Sequence, residues 1–257
     1  MMRLKFGCSR SWIAVCTVAV SLLTGNSNGF AAAKTQANGV VTSSERRGAT
    51  LTALARRCMR MVTMEWRLPS HGLAATEELV ADGANWSRYR LTRDNLAASF
   101  EAQRRGDAIE LVLQRGDGKP PQHKKFLGVP QGVLVGPALA VYLHDNLASL
   151  RRGSSLDFDF LVVDHALILG LRARPIDYGT DGSIRVKVEA SSPLMRPFVP
   201  TTTMIFAPEG KLSSLSGMLP LQDGTARQPI SLEGTVTFGV EVGDMDVDDC
   251  RLVRPAA

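Results

Sequence analysis

The chain has 257 residues, 44% of them hydrophobic and 21% charged, with 30 basic against 25 acidic residues and a formal charge of +5. That length and apolar content exclude a disordered or low-complexity polypeptide and suffice for one large core or two small ones. Three of the basic residues and none of the acidic ones lie within residues 1–33, so the rest carries 27 against 25, or +2, which removes the charge argument for nucleic acid.

Residues 1–33 read as an export signal. Arg3, Lys5 and Arg10 form a basic leader, Trp12 to Leu23 is an apolar core of twelve residues, and Ala31-Ala32-Ala33 offers a small-residue cleavage site. Twelve apolar residues are too few to cross roughly 30 Å of hydrocarbon. The expectation is a periplasmic protein beginning near Lys34, with no membrane span after cleavage. Residues 34–50 are polar and rich in Gly, Ser and Thr, and read as a flexible lead-in. Residues 51–257 then form a single β-rich domain, since neither a linker nor an internal repeat divides them.

Leu51, Leu54, Ala55, Cys58 and Val62 have helical spacing, while Met59, Met61 and Thr63 fit a strand reaching Trp66, so both readings stay open there. Beyond that point the chain reads as hairpins. Asp82-Gly83, Arg105-Gly106-Asp107, Asp117-Gly118 and Asp181-Gly182 are turn chemistry between alternating runs. Ile109, Leu111 and Leu113 share one face of the run from Ala108 to Gln114.

Pro137 to Gly153 interrupts this pattern with a helix. Pro137 suits a first helical position and Gly153 a left-handed terminator, and Leu139, Leu143, Leu147 and Leu150 make one apolar stripe. After it, Leu156, Phe158, Phe160 and Val162 alternate with acidic residues, and Ile184, Val186 and Val188 alternate with charged ones. Ile230 to Val242 alternates for thirteen residues, about 43 Å at roughly 3.3 Å each, twice an ordinary strand. Long strands with one apolar face predict a mainly β protein: a strongly curved antiparallel sheet or half-open barrel, with one or two helices packed on its concave face.

No motif supplies catalytic chemistry. His71, His123, His144 and His165 show no ligand spacing, and no G-x-S-x-G occurs. Asp164-His165 is a candidate acid–base or metal pair, but alternation assigns Asp157, Asp159 and His165 to a solvated sheet face. Asp244, Asp246 and Asp248 begin like a calcium loop, without its Gly and terminal Glu. No cofactor or metal is expected, and an enzyme is the less favoured reading.

Pro208 to Phe238 resembles the closing part of a group of uncharacterised proteobacterial periplasmic proteins, through Gly210-Lys211-Leu212, Gly217, Asp223-Gly224 and the strand from Ile230. The helix followed by the Leu156–Phe160 strand is similar too. The resemblance implies a half-barrel like the Lol-type carriers that ferry lipoproteins, and it brings no catalytic residue. Leu219-Pro220-Leu221 departs from the more polar strand of that group.

Three functional classes follow. The first is a carrier or binder of an apolar ligand, lipid or lipidated partner, held by Leu139, Tyr142, Leu143, Leu147, Leu150, Phe158 and Phe160. The second is an envelope structural or interaction protein with a filled core. The third is a periplasmic hydrolase without a recognisable motif.

Cleavage would remove Cys8 and Cys16, leaving Cys58 and Cys250 as the two thiols in an oxidising compartment. They are predicted to form a disulfide. Closing so long a loop stabilises by up to about 5 kcal/mol. Alkylation and mass spectrometry without reductant should find neither thiol free; two alkylated cysteines would refute the bond.

Overall fold

The computed structural model describes residues 33–43, 47–58, 60–82 and 85–244. The expected leader up to residue 32, the side chain of Cys58, Cys250 and all but the first of the tail aspartates lie outside the described residues.

Fifteen strands make one sheet. In the first run, β1 (Ala33–Val41), β2 (Thr50–Cys58), β3 (Met61–Leu68), β4 (Gly72–Asp82), β5 (Asn85–Arg93), β6 (Ala98–Arg105), β7 (Ala108–Gln114) and β8 (Gln122–Phe126) each pair antiparallel with the next. A short β9 (Leu134–Val135) and two helical segments, α1 (Ala138–Asp145) and α2 (Leu147–Arg151), follow. The second run is β10 (Leu156–Val162), β11 (Leu167–Tyr178), β12 (Ile184–Ala190), β13 (Thr202–Phe206), β14 (Leu212–Thr225) and β15 (Gln228–Asp244). β15 returns to pair with β1, and β9 joins β10 in parallel. The two runs therefore meet at a β1–β15 seam, and β8 and β9 are the free edges. The protein is mainly β, one large curved sheet that does not close.

The edges overlap instead of pairing. Trp86 on β5 donates its indole N–H to the carbonyl of Val133 at 2.8 Å. Gly136 follows β9 directly, and a Cβ there would overlap the ring of Tyr89 on β5. The β9 edge thus lies inside the curl of the first run. A second polar contact fixes this wall: the buried Glu77 carboxylate on β4 accepts from the Tyr89 hydroxyl at 2.6 Å and from the Trp66 indole at 3.2 Å.

The segment expected as a flexible lead-in differs. Its first eight residues belong to β1, the strand that joins both runs, with Ala37 and Val41 fully buried. Small side chains suit this seam. A Cβ on Gly39 would approach the Thr235 carbonyl to 2.6 Å, so a larger residue would push the strands apart. The ambiguous stretch after it resolves as the β2–β3 hairpin, with Ala55 opposite Met64.

The helix is broken in two at Asn146. That residue sits at φ −105°, ψ 10°, and its side-chain amide donates to the Tyr142 carbonyl at 2.8 Å, competing with the backbone ladder. Gly153 ends the second segment at φ 86°. The Tyr178 hydroxyl donates to the Leu150 carbonyl at 3.2 Å, and Arg151 donates to the carbonyls of Ala207 and Pro208 in the β13–β14 turn. The Tyr178 bond satisfies a carbonyl at the helix end, and the Arg151 bonds tie that end to the β13–β14 turn.

The leucine stripe fills the interior. Leu139, Leu143 and Leu150 are completely buried and Leu147 nearly so, in one core with Phe160, and Tyr142 is in ring contact with Phe158 at 5.4 Å between centroids. Leu143→Ala is expected to cost about 2–5 kcal/mol, through lost transfer energy and a residual cavity. Urea unfolding should show this as a lower midpoint at an unchanged slope.

Candidate functional site

β5 alternates as Tyr89, Leu91 and Arg93 facing inward, so its last inward position holds a cation. Arg93 is fully buried. The strand then turns through a 3-10 corner, Asp94–Leu96, closed by Ala97 at φ 48°. β10 ends the same way: Val163–His165 is a 3-10 corner closed by Ala166 at φ 48°. These two alanines are the described non-glycine residues with positive φ, a conformation that an L-residue adopts only under local constraint.

The constraint is visible. Arg93 Nη2 donates to Asp164 Oδ2 at 2.8 Å, joining one corner to the other, with the side chains only 1% and 9% exposed. Arg93 Nε donates to the Pro220 carbonyl at 2.8 Å, and its guanidinium lies 5.3 Å from the centre of the Phe100 ring. The Pro220 carbonyl is available because β14 bulges. Met218 pairs with Glu233 and Gln222 with Ser231, so Leu219-Pro220-Leu221 bows inward out of register. This is the place where the sequence departs from its resemblance. Asn95 adds a bond from its amide to the Gln222 carbonyl at 2.7 Å.

Above this pair a cleft of about 540 Å³ opens, bounded by both corners and by the β14–β15 hairpin. Leu96, Ala98 and Phe100 give it an apolar floor, Ile230 an apolar rim, and Arg115, Arg227 and His165 polar walls. Arg115 and Arg227 are exposed and make no ion pair among the described residues. The one carboxylate in the lining, Asp164, is already neutralised by Arg93. The cleft is therefore cationic and amphipathic.

Burial by itself would raise the Asp164 pKa, but the Arg93 charge, His165 and the bond from Arg93 outweigh it and hold the carboxyl below its ordinary value. Of the acidic residues expected on a solvated face, Asp157 is exposed and paired with Arg172 at 2.7 Å, and Asp159 is half-buried. His165 lines the cleft instead of pointing to bulk solvent. No three His, Cys, Asp or Glu side chains among the described residues are grouped to hold a metal.

The residues expected to form an apolar groove are elsewhere. Leu139, Leu143, Leu147, Leu150 and Phe160 are in the core, and Tyr142 and Phe158 at its margin; none lines the cleft. Arg93, Arg115 and Arg227 were not singled out by the sequence. Arg93 alone left a signal, a cation in phase with Tyr89 and Leu91 on an alternating strand.

No protein-family model and no curated protein matches the chain. Among solved structures, the fold is similar to the crystal structure of a beta-barrel-like protein of the domain of unknown function DUF1849 from Brucella abortus. The two share 8% sequence identity and a TM-score of 0.51, over 82% of this chain and 98% of that one. At that identity the likeness concerns the fold alone, a barrel-like sheet also found in a proteobacterial protein.

The buried pair generates a pH prediction. Because the folded pKa of Asp164 lies below its unfolded value of about 3.9, its contribution is complete above about pH 5 and fades as pH falls through that value and the folded pKa. Asp164→Asn should cost about 3–5 kcal/mol at pH 7, since it strands a buried cation. The cost relative to the unmutated protein should shrink below pH 4. Urea unfolding at both pH values checks the sign; an equal deficit at pH 7 and pH 3 would remove Asp164 from the acid response.

Proposed function

We propose that this chain is an exported, non-enzymatic binding protein that holds an amphipathic anion, an acidic head on an apolar body, in the cleft above the Arg93–Asp164 pair. The observation that carries the reading is the pairing of an apolar floor, Leu96 and Phe100, with two cations, Arg115 and Arg227, that have no carboxylate among the described residues. A cleft of about 540 Å³ suits a small ligand and not a whole protein. An anion seated there meets charge-assisted donors, and its apolar part covers the floor. The basic leader and short apolar core at the N-terminus support export. A lipid or the acyl group of a lipidated partner fits this chemistry, as the sequence resemblance to Lol-type carriers would imply, with the binding place at the end of the sheet and not at the leucine stripe.

One observation favours the second reading. The stripe is shielded from solvent within the core, which suits an envelope interaction protein with a filled interior. The two readings part on uptake. A fluorescent fatty acid should bind the purified protein, its neutral alcohol analogue should bind more weakly, and Arg115→Glu with Arg227→Glu should weaken the acid by about tenfold or more, given the worth of hydrogen bonds to charged groups. Absence of uptake by the unmutated protein, or uptake indifferent to head charge and to both arginines, would leave the filled-core reading in its place.

A further inference from the structure

The connection from β12 to β13, residues 191–201 (SSPLMRPFVPT), has three prolines and a chain of tight turns. Met195 N–H donates to the Ser192 carbonyl at 3.1 Å, Arg196 N–H to Pro193 at 3.4 Å, and the N–H groups of Phe198 and Val199 to Met195 at 3.0 and 3.1 Å. The backbone thus makes helical-type turns. Residues four apart share a side of such a turn. Met195 and Val199 form the inner pair: Met195 packs on the core and Val199 is 4% exposed within it. Leu194 and Phe198 form the outer pair, and they are 83% and 54% exposed.

Ordinary loops place polar residues on the outer side of such a turn. Here the most exposed large apolar side chain of the described protein and a phenylalanine stand together on a proline-stiffened tip, anchored from below. Contact costs the tip little ordering entropy because its turns already exist.

The foot of the loop is positively charged. Glu189 is buried and shared by three cations: Lys187 at 2.6 Å, Arg174 at 3.3 Å and Arg196, from the loop itself, at 3.7 Å. Those cations hold the Glu189 carboxyl below its ordinary pKa, the bond from Lys187 contributing most. Setting Glu189 and the nearby Asp159 against the three cations leaves one positive charge. The strand register puts this loop at the same end of the sheet as both corners and the β14–β15 hairpin, so Arg115, Arg227 and the half-exposed Ile230 belong to that end too. Asp94 is an exposed carboxylate there.

We propose that residues 191–201 form a membrane-contact tip: Leu194 and Phe198 enter the interfacial layer of a bilayer that carries anionic headgroups, while Arg196 and the neighbouring cations meet the phosphates. Apolar side chains beside cations on a fixed element are what peripheral attachment requires, and a contact of this size is reversible. It would place the open end of the cleft against the lipid surface. The proposal stands without the ligand reading, because it rests on the loop's exposure and charge and not on occupancy of the cleft.

The test compares forms of the full-length protein on vesicles of phosphatidylethanolamine with phosphatidylglycerol, and on phosphatidylcholine alone. Residues 12–23 carry an apolar segment of their own but are common to every form, so differences report on the loop. The unmutated protein should cosediment with the anionic vesicles at least about tenfold better than Leu194→Ser/Phe198→Ser, and added salt should weaken its binding. Phe198→Trp, read as the difference from the unmutated protein so that Trp12, Trp66 and Trp86 cancel, should add emission that shifts to the blue on those vesicles. The serine variant should keep its urea midpoint and its uptake of a fluorescent fatty acid, which separates failure of the tip from failure of the cleft. Equal cosedimentation of the serine variant, or an unmoved Phe198→Trp emission, would overturn the membrane tip and leave a protein partner as the loop's occupant.

Discussion

The Arg93–Asp164 pair is the interaction on which the arrangement depends. It joins two corners 71 residues apart, one ending β5 and the other ending β10. Burying two opposite charges carries a desolvation cost of several kcal/mol per ion, recovered only when geometry and additional bonds are good. Here the guanidinium Nε–H finds the Pro220 carbonyl, and the Phe100 ring lies near the charge. The β14 bulge is what brings that carbonyl within reach. Two alanines in left-handed conformation, a bulged strand and a buried ion pair thus occur together, each irregularity permitting the next. A hydrophobic pair would fill the same space with less demanding geometry. The charged pair instead fixes which corner faces which, because neither ion is satisfied in another register.

This arrangement separates two environments that a single curved sheet might have combined. The concave interior is buried and mainly apolar, holding the leucine stripe and the overlapping β9 edge. Polar and cationic groups gather at the end where the corners and the long hairpin meet. His71, in the β3–β4 turn, lies 3.6 Å from Asp223 near the tip of that hairpin, so the first run also reaches toward it. The interior contributes stability, and the polar end is where the proposed ligand would sit.

Much of the architecture was legible because most strands are half-buried and alternate strictly. LDFDF, IRVKVE and the run from Ile230 each announce a face, and the leucine spacing announces the helix and its burial. What escaped has physical reasons. β1 escaped because a strand held between two neighbours at a crowded seam needs small side chains, and such a stretch reads as a linker. The helix break escaped because an apolar stripe does not report a side-chain amide capturing a backbone carbonyl. The cleft escaped because its residues come from β5, β6, the β7–β8 connection, the second corner and the β14–β15 hairpin, with no local spacing to link them. Arg93 alone broke a pattern, and an inward cation on an alternating strand implies a buried partner whose position the pattern does not give.

The seam between β1 and β15 bears on how the chain reaches this state. Ala37 and Phe238 are register partners, yet 201 residues separate them, so the middle of the sheet is completed by the last of the described strands. Until then β1 has β2 on one side and an open row of backbone donors and acceptors on the other, an edge able to recruit other chains. Contacts of such sequence separation form slowly, because loop-closure entropy is lost before pairing can compensate it. A nascent or C-terminally shortened chain therefore presents its centre as an edge. Completion of the sheet waits on β15, the last of the described strands, and until it pairs β1 stays an exposed edge.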